Sequence, residues 1–355
     1  MLGALYAAAA ARRRAWLRDG RQRRLRQPVV SVGNLRVGGT GKTPTAAYVA
    51  GLLADAGERP AVLSRGYARR TAPDGVVVVS DGERLLADLG RSGDEPLMLA
   101  RTVRAARVVV SPDRYLAGRL AETRLGATVH VLDDGFQHVG LARGTDLLIL
   151  DREDAADSRT LPAGRLREGL GAARFADALL VPGASEAEAA SLAARLGVST
   201  AFALVRSTGP HYRLGGGAGA AAGAAAGRVY AFAGIARPAR FFAELGAAGW
   251  DVAGAEAFPD HHRYAARDVA ALAAAARRAG AGALVTTEKD AVRLLPLRPL
   301  PAPVLVVPLA VRVEPACAFA EWLAARLAAE RRAAGPAAGP AAAPPARPQA
   351  EGGGP

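Results

Sequence analysis

Val29-Val30-Ser31-Val32-Gly33-Asn34-Leu35-Arg36-Val37-Gly38-Gly39-Thr40-Gly41-Lys42-Thr43-Pro44 decides the fold of this chain. A short β-branched run leads into a glycine-rich loop that ends in Gly-Lys-Thr, and a helical pattern follows. The order is strand, phosphate-binding loop, helix. Glycines let backbone N–H groups curl around phosphate oxygens, and the helix N-terminus adds positive potential. Lys42 would reach the outer phosphates of a nucleoside triphosphate, and the Thr43 hydroxyl would sit on Mg²⁺. The strict pattern G-x-x-x-x-G-K-[ST] has glycine where this chain has Arg36. Gly38, Gly39 and Gly41 supply compensating freedom, and Thr40 lies among them.

Outward from that loop, strands and helices alternate. Strands are expected at 29–32, 61–64, 76–79, 107–110, 128–132, 146–150 and 178–181. Helices are expected at 43–56, 94–104 and 113–125. This βαβ rhythm implies an α/β fold with a doubly wound, mainly parallel sheet over residues 28–214. Residues 215–227 are almost only Gly and Ala and read as a linker or loop. A second, smaller α/β domain is expected over 228–332. Its strands fall at 229–233, 250–253, 283–286 and 304–307, and its helices at 238–247, 265–279 and 315–332. From residue 333 the Ala/Pro/Gly-rich tail cannot build a core.

The chain has 355 residues, a formal charge of +13 and one cysteine, Cys317. The length suits two domains. A lone cysteine excludes an internal disulfide and a cysteine metal cage. The charge leaves nucleic acid, an anionic membrane or an acidic substrate as partners. Arg12, Arg13, Arg14, Arg18, Arg21, Arg23, Arg24 and Arg26 crowd ahead of the loop, and no aromatic-interleaved basic groove follows, so nucleic acid is not expected. Residues 1–27 read as a basic helix with Trp16. Its apolar part is short against the roughly 20 residues a bilayer requires. Its charges follow the apolar run, the reverse of a secretory signal. An interfacial anchor on an anionic membrane fits.

Several stretches carry chemistry. His130-Val131-Leu132-Asp133-Asp134 ends an apolar strand in two carboxylates, where a Mg²⁺-organising aspartate belongs. Gln137 and His138 follow and are placed to touch phosphate or base. Asp94, after Gly93, stands at a helix start, where aspartate is also an ordinary N-cap. Asp260-His261-His262 precedes a helix. The adjacent histidines lack the i,i+4 spacing of a zinc pair, but a histidine in a crevice can tune a carboxylate. Arg167-Glu168 and Thr286-Thr287-Glu288-Lys289-Asp290 follow strands and offer charge to a phosphorylated substrate.

Taken in order, the loop at 33–44, Leu63-Ser64-Arg65-Gly66-Tyr67, Gly93-Asp94-Glu95-Pro96, Leu132 through His138, Pro162 through Glu168, Phe258 through His262 and Thr286 through Asp290 resemble the tetraacyldisaccharide 4′-kinase family. The resemblance spans roughly residues 1–330. It implies a P-loop kinase-like fold and transfer of the ATP γ-phosphoryl group to the 4′-hydroxyl of an acylated glucosamine disaccharide 1-phosphate in lipid A biosynthesis. It also implies a peripheral enzyme on the cytoplasmic face of the bacterial inner membrane, with no obligate protein partner. By the same resemblance Asp94 corresponds to the catalytic aspartate and His261 to its partner. Lys42 and Thr43 are the loop residues, Asp133 and Asp134 lie on the Mg²⁺ side, and Arg167 and Glu168 are a further active-site pair. Two rivals remain. A membrane-associated ATPase switch would carry lysine where this chain has Val37, and a soluble small-metabolite kinase would not need the arginine-rich N-terminus.

Overall fold

A computed structural model describes residues 2–66, 69, 75–215 and 227–334. Tyr67, most of the Gly/Ala segment and the tail from residue 335 lie outside the described residues. The chain begins with helix α1 (Leu2–Arg18), then β1 (Val29–Asn34), α2 (Lys42–Asp55), β2 (Pro60–Ser64), β3 (Val77–Asp81), α3 (Leu89–Ser92), α4 (Asp94–Thr102), β4 (Arg107–Val110) and α5 (Arg114–Leu125). It continues with β5 (Val129–Asp133), β6 (Thr145–Ile149), α6 (Arg152–Ala156), β7 (Ala178–Pro182), α7 (Glu186–Leu196), β8 (Ala201–Thr208) and β9 (Tyr212–Arg213). The remainder is β10 (Val229–Ala233), α8 (Pro238–Ala247), β11 (Val252–Ala257), α9 (Ala266–Arg278), β12 (Ala283–Thr287), α10 (Glu288–Leu294), β13 (Val304–Val307), β14 (Leu309–Glu314) and α11 (Ala316–Ala334).

The large sheet has nine strands in the order β14-β8-β7-β6-β1-β5-β2-β4-β3. From β8 through β4 every pairing is parallel, and only the edge strands β14 and β3 run antiparallel. Helices cover both faces, so β1, β2, β5 and β6 are buried along their whole length. That explains why Val and Leu occupy both faces of these strands. β1 sits in the middle with β5 on one side and β6 on the other, and its register places Val32 opposite Asp133. The strand order reverses at β1, and ligand crevices open at such a point beyond the carboxyl ends of the strands.

The smaller sheet runs β11-β10-β12-β13-β9, parallel except for the two-residue edge strand β9. Its own core includes Phe232, Val269, Leu272 and Leu284. One boundary differs from the expectation that residues 228–332 form the second domain. β14 returns to the large sheet and pairs with β8. α11 follows it there, burying Phe319, Leu323 and Leu327 in the large core, with the Phe319 ring 5.1 Å from that of Phe202. Spacing of i, i+4, i+8 puts those three side chains on one helical face. The second sheet is therefore inserted between β8 and β14.

Candidate active site

The loop between β1 and α2 takes its shape from two glycines. Gly41 caps α2 with φ 85°, a left-handed conformation that costs glycine little. A Cβ at Gly33 would lie 2.5 Å from the Phe136 Cβ, so only glycine lets the Asp134–His138 turn approach β1 this closely. Asn34 Nδ2 donates to Thr40 Oγ1 at 2.7 Å, and Gln137 Nε2 donates to the Asn34 carbonyl at 2.9 Å. Arg206 donates to the Thr40 carbonyl from β8. Arg36 turns away from the phosphate side. It is 4% exposed and pairs with Asp154 at 2.8 Å.

At the start of α2, Thr43 Oγ1 donates to Asp133, 3.2 Å from Oδ2. Lys42 Nζ lies 3.7 Å from Asp134 Oδ1, and Arg167 Nη1 lies 2.9 Å from Asp134 Oδ2 and 3.2 Å from Gln137 Oε1. Asp134 holds φ 56°. Burial, and then the negative charges of Glu95 and Asp134, push the Asp133 carboxyl up to about 7 against the pull of Lys42 and the Thr43 hydroxyl. A hydroxyl beside clustered carboxylate oxygens is a hard-oxygen donor set that suits Mg²⁺. Among the described residues no three His, Cys, Asp or Glu side chains form a metal cage. Mg²⁺ does not need one, because it ordinarily takes one or two carboxylates together with substrate phosphates.

The second half of the site is built across the two sheets. Asp94 opens α4 and is 4% exposed. Its Oδ2 accepts from Arg293 Nε at 2.8 Å and Nη2 at 2.5 Å, and lies 3.0 Å from His261 Nδ1. Its Oδ1 accepts the Glu95 amide at 3.0 Å. Lys289 Nζ is 3.1 Å from His261 Nε2. An ammonium only donates, so Nε2 accepts and Nδ1 carries the proton directed at Asp94. His261 holds φ 59°, and among the described residues it and Asp134 are the two non-glycine residues with positive φ. Such backbone strain persists where surrounding structure over-determines it. Burial acts to raise the Asp94 carboxyl. The hydrogen bond from His261 and the charges of Arg293 and Lys289 outweigh it and hold that carboxyl well below the usual carboxylate range.

One cleft of about 1230 Å³ gathers Gly38 through Thr43, Asp133, Asp134, Gln137, His138, Arg167, Glu168 and His261 along its walls. Asp94 stands one layer behind, covered by the neighbouring Glu95 and by His261. Burial, and then Arg114 and Arg143, push the His138 imidazole down to about 4, so it is neutral at physiological pH. Glu168 lies on the cleft wall and is also tied to α1. Both its oxygens are taken by Arg14 of α1, at 2.8 and 2.7 Å. Three site residues were missed in the sequence reading. Arg293 lies three residues beyond the quoted Thr286–Asp290 stretch. Arg114, 4% exposed on the cleft wall, follows a helix-capping aspartate. Arg206 sits in a strand that the sequence did not reveal.

Comparison with known proteins agrees with this fold. A family model described as tetraacyldisaccharide-1-P 4′-kinase matches residues 1–328. The tetraacyldisaccharide 4′-kinase of Nitrobacter hamburgensis is 45% identical over 301 residues, covering 82% of each chain. That of Desulfotalea psychrophila is 37% identical over 303 residues, covering 82% of this chain and 86% of its own. The crystal structure of LpxK from Aquifex aeolicus in complex with ATP superposes with a TM-score of 0.72 at 30% identity, over 92% of this chain and 97% of that one. The chain belongs to the tetraacyldisaccharide 4′-kinase family.

Proposed function

We infer that this protein transfers the γ-phosphoryl group of ATP to the 4′-hydroxyl of a tetraacyldisaccharide 1-phosphate, the lipid A precursor. The observation that carries the reading at the level of residues is the meeting, in one cleft, of the phosphate loop with Thr43 on Asp133 and, from the opposite side, His261, which holds Asp94 just behind the wall. Neither switch ATPases nor small-metabolite kinases are favoured by any feature of that cleft.

The roles follow from position. The amides of residues 38–43 and the Lys42 ammonium cradle the β- and γ-phosphates. Thr43 with Asp133 and Asp134 would hold Mg²⁺, which when bound neutralises phosphate charge. Arg167, fixed by Asp134 and Gln137, and Arg114 add positive charge beside the phosphates, where phosphoryl transfer depends on positioning and charge neutralisation. Asp94 orients the acceptor hydroxyl and takes its proton late. A carboxylate held this acidic is a weak base, which a loose transfer transition state tolerates. His261, with Nδ1 directed at Oδ2, fixes the position of Asp94. Glu168 contributes by holding Arg14.

No helix among the described residues is long and apolar enough to cross a membrane. We place the protein as a peripheral enzyme on the cytoplasmic face of the inner membrane, attached through α1. Trp16 is 57% exposed on that helix, and Tyr6 is 41% exposed. Arg12 and Arg13 are exposed beside them. Incubation with γ-labelled ATP, Mg²⁺ and disaccharide 1-phosphate lipid in detergent tests the reading and should give a labelled lipid. Lys42→Ala and Asp94→Ala should each lower turnover by at least about 100-fold with the fold intact. Near-normal transfer by Asp94→Ala would remove that residue from the mechanism.

A further inference from the structure

Arg293 does more in this structure than close an ordinary ion pair. It is 6% exposed on α10 and every nitrogen of its guanidinium is spent. Nε and Nη2 both go to Oδ2 of Asp94, which lies 199 residues away on the other sheet's side of the cleft. Nη1 donates to the Gly234 carbonyl at 2.7 Å and to Asp290 Oδ1 at 3.0 Å. Asp290 is itself fully buried and fixed. Its Oδ1 also accepts the Gly234 amide and the Tyr264 hydroxyl, each at 3.0 Å, and its Oδ2 accepts the Thr287 hydroxyl at 2.7 Å. The guanidinium is therefore clamped to the frame of the smaller sheet and reaches out of it to grip one oxygen of one carboxylate.

Stability does not account for such a group. A buried Asp–Arg–Asp cluster loses hydration that its mutual attraction only roughly offsets, and apolar side chains of the same volume would serve the core as well. The geometry has a more specific consequence. Three donors, Arg293 Nε, Arg293 Nη2 and His261 Nδ1, saturate Oδ2. The carboxylate cannot rotate without breaking all three. Oδ1 has the Glu95 amide and retains lone-pair capacity. The oxygen that meets an acceptor hydroxyl is thereby selected.

We propose that Arg293 is the positioning residue of the transfer reaction: it fixes the Asp94 carboxylate with Oδ2 occupied, so that Oδ1 receives the acceptor hydroxyl and its proton. This rests on the reading of Asp94 as the group that meets the acceptor. The proton balance is simple. The acceptor oxygen forms its bond to the γ-phosphorus, the bond from that phosphorus to the bridging oxygen breaks, ADP leaves, and the hydroxyl proton passes to Oδ1. Arg293 exchanges nothing and never touches substrate.

A double-mutant cycle between positions 94 and 293 separates this role from scaffolding. In the otherwise unchanged enzyme, Arg293→Met should lower kcat by roughly 30- to 100-fold while the KM for ATP moves less than about threefold, because what is lost is orientation and not nucleotide binding. Arg293→Lys keeps the charge and loses the fork, so it should fall between the two. On an Asp94→Asn background, Arg293→Met should cost less than about threefold further, because the group it orients is already disabled. Equal losses in both backgrounds would make Arg293 a general scaffold residue and overturn the proposal, as would a wild-type kcat in Arg293→Met. A wild-type kcat in Asp94→Asn would instead bring down the underlying reading of Asp94. Near-UV circular dichroism and ATP affinity report folding, and if Arg293→Met does not fold, the same cycle is run with Arg293→Lys.

Discussion

Arg36 occupies the place where a strict phosphate-binding loop has glycine, and its side chain serves the loop from behind. Paired with Asp154 at 2.8 Å and nearly sealed from solvent, it fastens the loop to the start of α6. Arg36→Ala would leave Asp154 buried without its partner, and breaking such a pair costs about 3 kcal/mol or more. Urea unfolding at neutral pH measures it. A loss under about 1 kcal/mol would mean that the pair contributes no more than a surface ion pair. His138 gives a pH-dependent counterpart. Its imidazole is pushed down to about 4 by burial and the nearby arginines. In the unfolded chain it titrates near 6.5. Between those values the unfolded chain binds a proton that the folded one refuses, so stability present above about pH 6.5 is lost as pH falls toward 4. His138→Gln should flatten the decline of Tm between pH 7 and pH 5, and an unchanged slope would mean that other groups carry it. Residues of this kind differ in how far a sequence reveals them. Lys42, Thr43 and Asp133 sit at fixed spacing on one strand–loop–helix unit and its neighbour, so the pattern that names them also places them. Arg293 owes its role to a partner 199 positions away, and no local pattern encodes that. Glu168 enters the site through the family resemblance alone, and its partner Arg14 comes from a helix whose docking the sequence does not specify.

Helix α1 shows the same limit one scale up. Its basic, Trp-bearing pattern reads as an anchor, and the helix is also knit into the kinase sheet. Arg14 is 2% exposed, grips both oxygens of Glu168, donates to the Phe136 carbonyl at 2.9 Å and lies 4.4 Å over the Phe136 ring. Phe136 belongs to the turn that carries Asp134 and Gln137, and Glu168 adjoins Arg167, which holds them. Arg14→Ala should therefore lower kcat on detergent-dispersed substrate as well as Tm, since it strands a buried carboxylate next to the phosphate-side arginine. If only vesicle attachment declined, α1 would be an anchor and nothing more. Deletion of residues 2–18 should behave as the stronger form of the same lesion. Most of the parallel strands were legible because burial on both faces gives them short continuous apolar runs. β8 and β14 were not, because they form an antiparallel edge whose members lie about a hundred residues apart and are only partly buried. α7 was not expected either, although Ser185 and Glu188 form a reciprocal capping box at its start.

At the scale of the whole molecule, α1 with its exposed Arg12 and Arg13 lies along the cleft. Tyr6, Ala9, Ala10 and Arg13 of α1 line the same cleft as the phosphate loop. If α1 is the membrane contact, a lipid whose acyl chains remain in a bilayer would present its sugar along that helix. The net charge of +13 draws the protein toward an anionic surface, and the exposed Arg12 and Arg13 bring part of that charge to α1. Trp16, stacked 5.0 Å under the Arg21 guanidinium, suits the headgroup boundary. Each arginine near such a surface contributes about 1 kcal/mol, so replacing Arg12 and Arg13 by Gln should weaken partition onto vesicles rich in anionic lipid by roughly 30-fold. Raising NaCl from about 0.05 M to about 0.5 M should weaken it comparably, because the screening length shrinks to a few ångströms. Trp16→Ala should reduce binding to neutral and anionic vesicles alike. Turnover on detergent-dispersed lipid should change little in Arg12→Gln, while turnover on vesicle-embedded lipid should fall with the binding. Sedimentation that ignores both salt and these substitutions would place the attachment surface elsewhere on the molecule, and α1 would then be a wall of the cleft without being its contact with the membrane.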